Sequence, residues 1–465
     1  MAKILSVACF ALLLCAPGRA VGEGARSSAT YRRIRTNLDS VPAIDTHDHI
    51  RPFDRLRGYV ETEHGRGMNL YGLLFDSYLS VYKPPLPAPW KPGGPFQEWW
   101  GRAKRDLRDI RALSQYRYQL SAFQDLYGID FDRVTDEQAA RLNQRIFENY
   151  RDPKWLYHVI TERANIELML VDPYWDPYDF KTHYPFEVLV FRVGHLIRGF
   201  HASEFAQPAQ DPYHFARQRG LKVESLDDYL QLVERFFRLA KEGGAACLKM
   251  HNSRTLHFEN VSKERAARVF GRPRKELSEP EAKEFEDFMM WRLVELSAKY
   301  DLPFQIHTGQ AKVDDAGLNP IRLTNLIRAN PRTKFILFHG GFPWAGETAA
   351  VAMDSPNVWI DACWFPLISY SMAKRALHEW LEIVPSDRIM WGADTGHAEG
   401  VYAATDFTRR WVAEVLAEKV DAGDLHEEDA LRIGRQILRE NALKIFPLLK
   451  DRLWKHKGPL APGKQ

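Results

Sequence analysis

The sequence predicts an α/β fold, a closed (β/α)8 barrel, and three observations carry that prediction. Eight short apolar strand-like runs alternate with helical stretches, an order that indicates a parallel sheet and, at eight units, closure. The runs are apolar almost throughout, as strands covered on both faces are. Four of them finish on a single His or Asp or on a His pair, and side chains from the first, fifth, sixth and eighth strands converge on one axis only when the sheet closes. A doubly wound open sheet is the alternative.

The elements follow in chain order. A short polar tract (Gly22 to Thr30) and a helix near Tyr31 to Leu38 precede the first strand, AIDTHDHI, Ala43 to Ile50. Alternate residues of a strand face the same way, so His47 and His49 leave the backbone side by side. Such a pair suits one divalent metal, or else two polar groups on a surface strand. A long insert, about 51–165, comes next. Its Pro- and Trp-rich stretch KPPLPAPWKPGGPFQEWW (Lys83 to Trp100) reads as an ordered loop or lid. Helical spacing of apolar residues follows over Arg102 to Tyr127 and Asp136 to Asn149. Lying between the first and second strands, the insert is expected to cover the top face and wall the pocket.

The remaining strands are expected at Ile166 to Val171, Glu187 to Val193, Ala245 to Met250, Pro303 to His307, Lys334 to His339, Asn357 to Ala362 and Arg388 to Ala393. Each should feed a crossover helix, the clearest being Leu226 to Lys241, Glu279 to Tyr300, Ile321 to Ala329 and Ser371 to Leu381. A C-terminal helix, Ile437 to Leu449, should dock on the barrel exterior. The sequence contains no internal repeat and no low-complexity tract.

In a barrel the reactive groups stand at the C-terminal ends of strands, where His47, His49, His307, His339 and Asp394 fall. Neutral imidazoles and one carboxylate suit Zn²⁺, or Mn²⁺ or Fe²⁺, with a position left for water. The metal would lower the pKa of that water to about 7 for attack on an electrophilic carbon. Taken singly, His307 and His339 could be structural histidines and Asp394 a helix N-cap. Arg192 at the end of the third strand, and Lys249 and Arg254 at the end of the fourth and just after it, could bind an anionic substrate, or the arginines could form surface salt bridges. Trp344, Trp364 and Trp391 could line an apolar or sugar-binding pocket or take tryptophan's commoner role of filling the core, with His397 and Glu399 at the pocket's rim and His251 touching it.

The 465 residues carry a formal net charge of +3 and 45% apolar residues, enough for a sizeable core. No basic cluster interleaved with aromatics suggests nucleic acid. The N-terminus reads as an export signal of residues 1–20, with Lys3, an apolar run from Ile4 to Cys15 and small residues at Gly18 and Ala20. No other apolar run reaches 18 residues, so stable membrane insertion is not expected. Cys247 and Cys363 remain after cleavage and read as small buried hydrophobes. The expected partner is a small-molecule substrate, and the sequence leaves a homo-oligomer open.

The order HxH, then His, His and Asp at the ends of the fifth, sixth and eighth strands resembles the metal-dependent amidohydrolase superfamily, in its amidohydrolase 2 branch. The likeness is closest over about 245–400, where QIHTG, FHGGFPW, SPNVWIDA and WGADTG match the amidohydrolase-like domain of FluG and nodulin-type proteins. FQDLYGID (Phe123 to Asp130) is similar to uronate isomerases, distant members of the superfamily. The resemblance implies a distorted TIM barrel and a metal held by His47, His49, usually His307, and Asp394. It makes His339 the residue that orients or deprotonates the nucleophilic water, or a fourth ligand. Lys249 stands where related binuclear enzymes carry a carboxylated lysine, with binding of a substrate carboxylate as the alternative. The expected activity is hydrolysis of an amide, ester or lactone bond in a small anionic substrate. Nonoxidative decarboxylation or isomerisation on the same site is the second expectation, and a non-enzymatic binding barrel the third.

Overall fold

The computed structural model describes residues 25–81, 86–251, 255–309 and 317–454. The expected signal segment and Arg254 lie outside the described residues. Eight parallel strands form one sheet: β1 (Ala43–Asp48), β2 (Ile166–Val171), β3 (Glu187–Arg192), β4 (Cys247–Met250), β5 (Phe304–Ile306), β6 (Phe335–Leu337), β7 (Val358–Asp361) and β8 (Ile389–Met390). Each strand pairs with its neighbours in sequence, with registers such as Lys249↔Gln305 and Ile306↔Leu337. The expected (β/α)8 barrel is what the chain forms. Its strands are buried on both faces, which is why they read as continuous apolar runs.

The seam between β8 and β1 is made mostly beyond the paired strands. The amide of Asp394 donates to the His47 carbonyl and the amide of His49 to the Thr395 carbonyl, each at 2.9 Å. The backbone bonds that bring the sheet round on itself thus belong to the residues expected to bind metal.

Most crossovers are helical, the longest being Leu226–Glu242, Glu279–Tyr300 and Ala398–Ala422. The exception corrects the expectation that every strand feeds a helix: residues 172–186, between β2 and β3, form turns only. Pro173, Asp176 and Pro177 occupy that stretch, and its bonds are short turns such as Asp176 N–H to the Pro173 carbonyl. The C-terminal segment docks on the barrel as Glu427–Arg435, a π-turn at Gln436–Glu440 and Asn441–Ile445. Trp391 is buried against it, its Nε1–H donating to the Leu438 carbonyl, so this tryptophan fills the core and does not line the pocket.

The insert contains a small hairpin (Val60–Thr62 and Gly65–Gly67) and helices Leu70–Asp76, Phe96–Asp109, Ser114–Arg117, Leu120–Tyr127 and Asp136–Asn149. Where periodicity suggests one helical segment over Arg102 to Tyr127, three helices stand. The first buries Phe96, Trp99, Trp100, Ala103 and Leu107, and the third turns a different face inward with Ala122, Phe123, Leu126 and Tyr127. The Thr135 and Gln138 capping box starts helix Asp136–Asn149 where its sequence pattern begins.

A buried carboxylate fixes the insert to the barrel. Glu399, at the start of helix Ala398–Ala422, accepts hydrogen bonds from Tyr127 Oη (2.6 Å), Tyr150 Oη (2.5 Å) and Trp155 Nε1 (2.9 Å). Burial alone would raise the pKa of this carboxyl, but His397 and the donors from the insert hold it below its ordinary value.

Candidate metal centre

The ends of β1, β5, β6 and β8 bring together the five predicted residues. His47 and His49 have ring centroids 4.8 Å apart, as alternation on one strand requires. His49 Nε2 lies 3.2 Å from Asp394 Oδ1, and His339 Nδ1 lies 3.9 Å from Asp394 Oδ2. His339 Nε2 lies 3.0 Å from His307 Nδ1. His251 sets its ring edge-on against His307 at 4.5 Å, as expected of a residue two beyond Lys249.

Hydrogen-bond partners assign the imidazole tautomers. His339 Nδ1 lies 3.0 Å from the Cys363 carbonyl, which can only accept, so His339 carries its proton there. Its Nε2 is then the acceptor for His307 Nδ1–H, and the lone pair of His307 is on Nε2. By the same logic His49 Nδ1–H donates to the Asp172 carbonyl at 3.2 Å. In neutral His49 the lone pair of Nε2 therefore faces a carboxylate oxygen across 3.2 Å. Two acceptors at that distance require a cation between them or a proton on His49.

Burial sets the protonation of the other imidazoles. Desolvation first, then the Lys249 charge, pushes His47 well below its usual range and His339 down to about 3. Desolvation and His339 do the same to His307. Burial would lower His49 as well, but its hydrogen bond to Asp394 outweighs this and raises it. Asp394 is held well below the carboxylate range by His49 against the opposing effect of burial. Neutral His47 and His307 and the ionised Asp394 are donors a divalent ion takes, and His49 joins them on giving up its proton.

The backbone at these strand ends is strained. Tyr78, His339, Trp364 and Asp394 all have positive φ (67°, 59°, 61° and 53°), a region that costs a non-glycine residue about 1–3 kcal/mol. These four residues touch one another. Tyr78 Oη donates to Asp394 Oδ1 at 2.8 Å, and the Trp364 ring packs on Tyr78 at 4.6 Å and on His339 at 5.6 Å. After His339, Gly340 also has φ 55°, and a Cβ there would stand 2.4 Å from Phe365.

Among the described residues, donor atoms within 4.8 Å of one another form the groups His47–His49–Asp172 and His339–Cys363–Asp394. Asp172 and Cys363 were not anticipated. Asp172 immediately follows the last residue of β2, the same strand-end position that singled out His307, so the signal was present. Cys363, expected as a small buried hydrophobe, is buried and free but also contributes its carbonyl to His339.

The predicted anion-binding residues meet different fates. Arg192 Nη1 donates to Asp172 Oδ2 at 2.5 Å, a buried pair that already engages its guanidinium. Lys249 Nζ is buried, has no hydrogen-bond partner among the described residues and lies 3.5 Å from the centroid of the Phe338 ring. Desolvation lowers its pKa to about 8. Arg51, which sequence reasoning passed over, stacks on Tyr174 (5.2 Å) and Trp175 (5.1 Å) and donates to Tyr174 Oη at 2.8 Å. Tyr174 in turn sets its ring edge against His49 at 5.1 Å. Among the described residues Arg51 is paired with no carboxylate. His397 is buried beside Glu399, and Trp344 caps helix Ala345–Asp354.

Residues 226–448 match the family model described as Amidohydrolase, which bears out the resemblance carried by the strand-end motifs. Over 151 residues the chain is 34% identical to Protein fluG of Emericella nidulans, an alignment covering 31% of this chain and 17% of that protein. The fold is similar to uronate isomerase from Thermotoga maritima (TM-score 0.73, 14% identity, 91% of this chain and 99% of that one). It is similar also to glucuronate isomerase from Caulobacter crescentus (TM-score 0.72, 17% identity, 92% and 95%). A candidate metal-dependent hydrolase from Lactobacillus casei follows (TM-score 0.60, 16% identity, 90% and 98%). At these identities the structural likeness is one of fold.

Proposed function

We propose that this chain, whose residues 226–448 match the amidohydrolase family, is a metal-dependent hydrolase of an amide, ester or lactone bond in a small anionic substrate. The observation that carries the proposal is the convergence of His47, His49, His307, His339 and Asp394 at the ends of four strands, each within contact of the next. His47, His49, His307 and Asp394 would hold the ion, with Zn²⁺ the first choice and Mn²⁺ or Fe²⁺ the others. When bound, it would acidify water and polarise the bond to be cleaved.

The chain's own residues do the rest. His339 fixes the tautomer and ring orientation of His307, the part an outer hydrogen-bond partner plays for a metal-binding histidine. Asp394 takes a proton from the attacking water and returns it to the leaving group, while Tyr78 keeps Oδ1 aimed. Arg51, Arg192 and Lys249 bind the anionic part of the substrate, Asp172 holding the Arg192 guanidinium by one hydrogen bond and leaving its other donors. Export of the chain belongs to the same proposal and is supported by the signal-like residues 1–20.

A second proposal, aldose–ketose isomerisation, is supported by the fold likeness to two uronate isomerases, which extends over about nine-tenths of this chain and so takes in the insert. Metal analysis followed by a substrate panel tests both. About one equivalent of Zn²⁺, Mn²⁺ or Fe²⁺ is expected after reconstitution. Turnover of N-acyl amides or lactones with incorporation of solvent oxygen supports hydrolysis. Conversion of uronates without it supports isomerisation, and a protein that retains no metal overturns both.

A further inference from the structure

The insert carries a cavity of about 520 Å³ that shares no lining residue with the metal centre. That volume is in the range of small-molecule sites. It lies between the Val60–Thr62 hairpin and helix Asp136–Asn149, and three kinds of side chain line it. Trp90, Phe96 and Phe147 supply aromatic surface. Trp90 is held in place by Nε1–H donating to the Glu61 carbonyl (2.8 Å) and by Tyr71 stacked at 6.0 Å.

Four carboxamides, Asn69, Gln97, Asn143 and Gln144, supply paired donors and acceptors. Three are partly committed: Asn69 Oδ1 accepts from Gly72 N–H (2.9 Å), Asn143 Oδ1 from Leu70 N–H (3.1 Å), and Gln144 Nε2–H donates to Glu148 Oε1 (2.8 Å). Asn69 is fully buried and its Nδ2 has no partner among the described residues. The charges lining the cavity balance, Arg141 and Arg151 against Glu63 and Glu148, so neither an anion nor a cation is selected.

We propose that this cavity is a second ligand site, for a neutral polyhydroxylated molecule of the saccharide class. Such a molecule presents apolar C–H faces to aromatic rings and alternating hydroxyls to amides, and its lack of charge suits a balanced lining. The site is independent of the metal centre, though joined to it by one short element: Asn69 caps helix Leu70–Asp76, which ends two residues before Tyr78.

Calorimetric titration of the full chain with glucose, maltose and cellobiose tests this. At least one is expected to bind with a Kd of about 10 mM or tighter. Trp90→Ala, and separately the double substitution of exposed Gln97→Ala with Gln144→Ala, should each weaken that binding at least about tenfold, while Asp394→Asn leaves it within about twofold. The double variant touches no buried contact, so it reports even where Trp90→Ala unfolds. Absence of binding by all three sugars, less than tenfold weakening in the double variant, or loss of binding in Asp394→Asn overturns the proposal.

Discussion

Tyr78 and Asp394, 316 residues apart, meet in a 2.8 Å hydrogen bond in which the phenol donates to Oδ1 of the carboxylate. Both have positive φ, so the insert and the end of β8 each hold a strained residue at the point of contact. Tyr78→Phe keeps the ring packed on Trp364 and removes only the donor. A hydrogen bond to a charged group is worth about 1.5–3 kcal/mol. Turnover should fall about 10- to 100-fold with metal content near one equivalent, as read by steady-state kinetics beside metal analysis. An unchanged kcat would show that the phenol has no part in aiming the carboxylate.

His339 hydrogen-bonds both the Cys363 carbonyl and His307. His339→Asn should therefore weaken metal binding about 10- to 100-fold, the usual cost of losing an outer partner, without abolishing it. His307→Ala should cost more. Competition against a chelating dye measures both, and a larger loss in His339→Asn than in His307→Ala would make His339 a ligand itself.

Glu399→Leu should destabilise the chain by about 3 kcal/mol or more. Tyr127, Tyr150 and Trp155 would lose their shared acceptor in a dry environment, at about 1–3 kcal/mol for each orphaned donor. Urea unfolding followed by tryptophan fluorescence checks this. A loss below about 1 kcal/mol would mean that the insert is held by its apolar contacts alone.

Glu187, at the start of β3, is buried and its pKa is raised from 4.5 to about 7, chiefly by desolvation, against the backbone donors His183 and Tyr184. Between these values the native state binds more protons than the unfolded one, so this group's effect on stability worsens as pH rises and is fully adverse above about 7. Glu187→Gln retains an acceptor and removes the titration. The variant should match the parent near pH 4 and exceed it by about 2–3 kcal/mol near pH 8, measured by urea unfolding. A difference that is constant across pH would contradict the raised pKa.

The expected strands are present in order, and the residues at their ends were legible because a strand buried on both faces writes itself as an apolar run whose first polar residue marks its exit. The same rule that marked Asp394 applies equally to Asp172, directly after β2. The turn-only connection of residues 172–186 was misjudged because alternation of strand and helix was extended across a stretch whose prolines oppose it. Trp391, for which pocket lining and core filling were both open, fills the core, its indole donating to the C-terminal segment.

By itself the sequence determined the eight-stranded barrel and the five residues at its ends, because hydrophobic period and strand polarity are local properties of the chain. Tertiary structure alone decided the partners of those residues: Tyr78 on Asp394, Asp172 on Arg192, His339 on His307, and Arg51 against Tyr174. These pairings join side chains from separate elements, and their protonation follows from burial and neighbouring charge. Neither is encoded in spacing, since both come into being only when the strands close into a barrel and the insert packs over it.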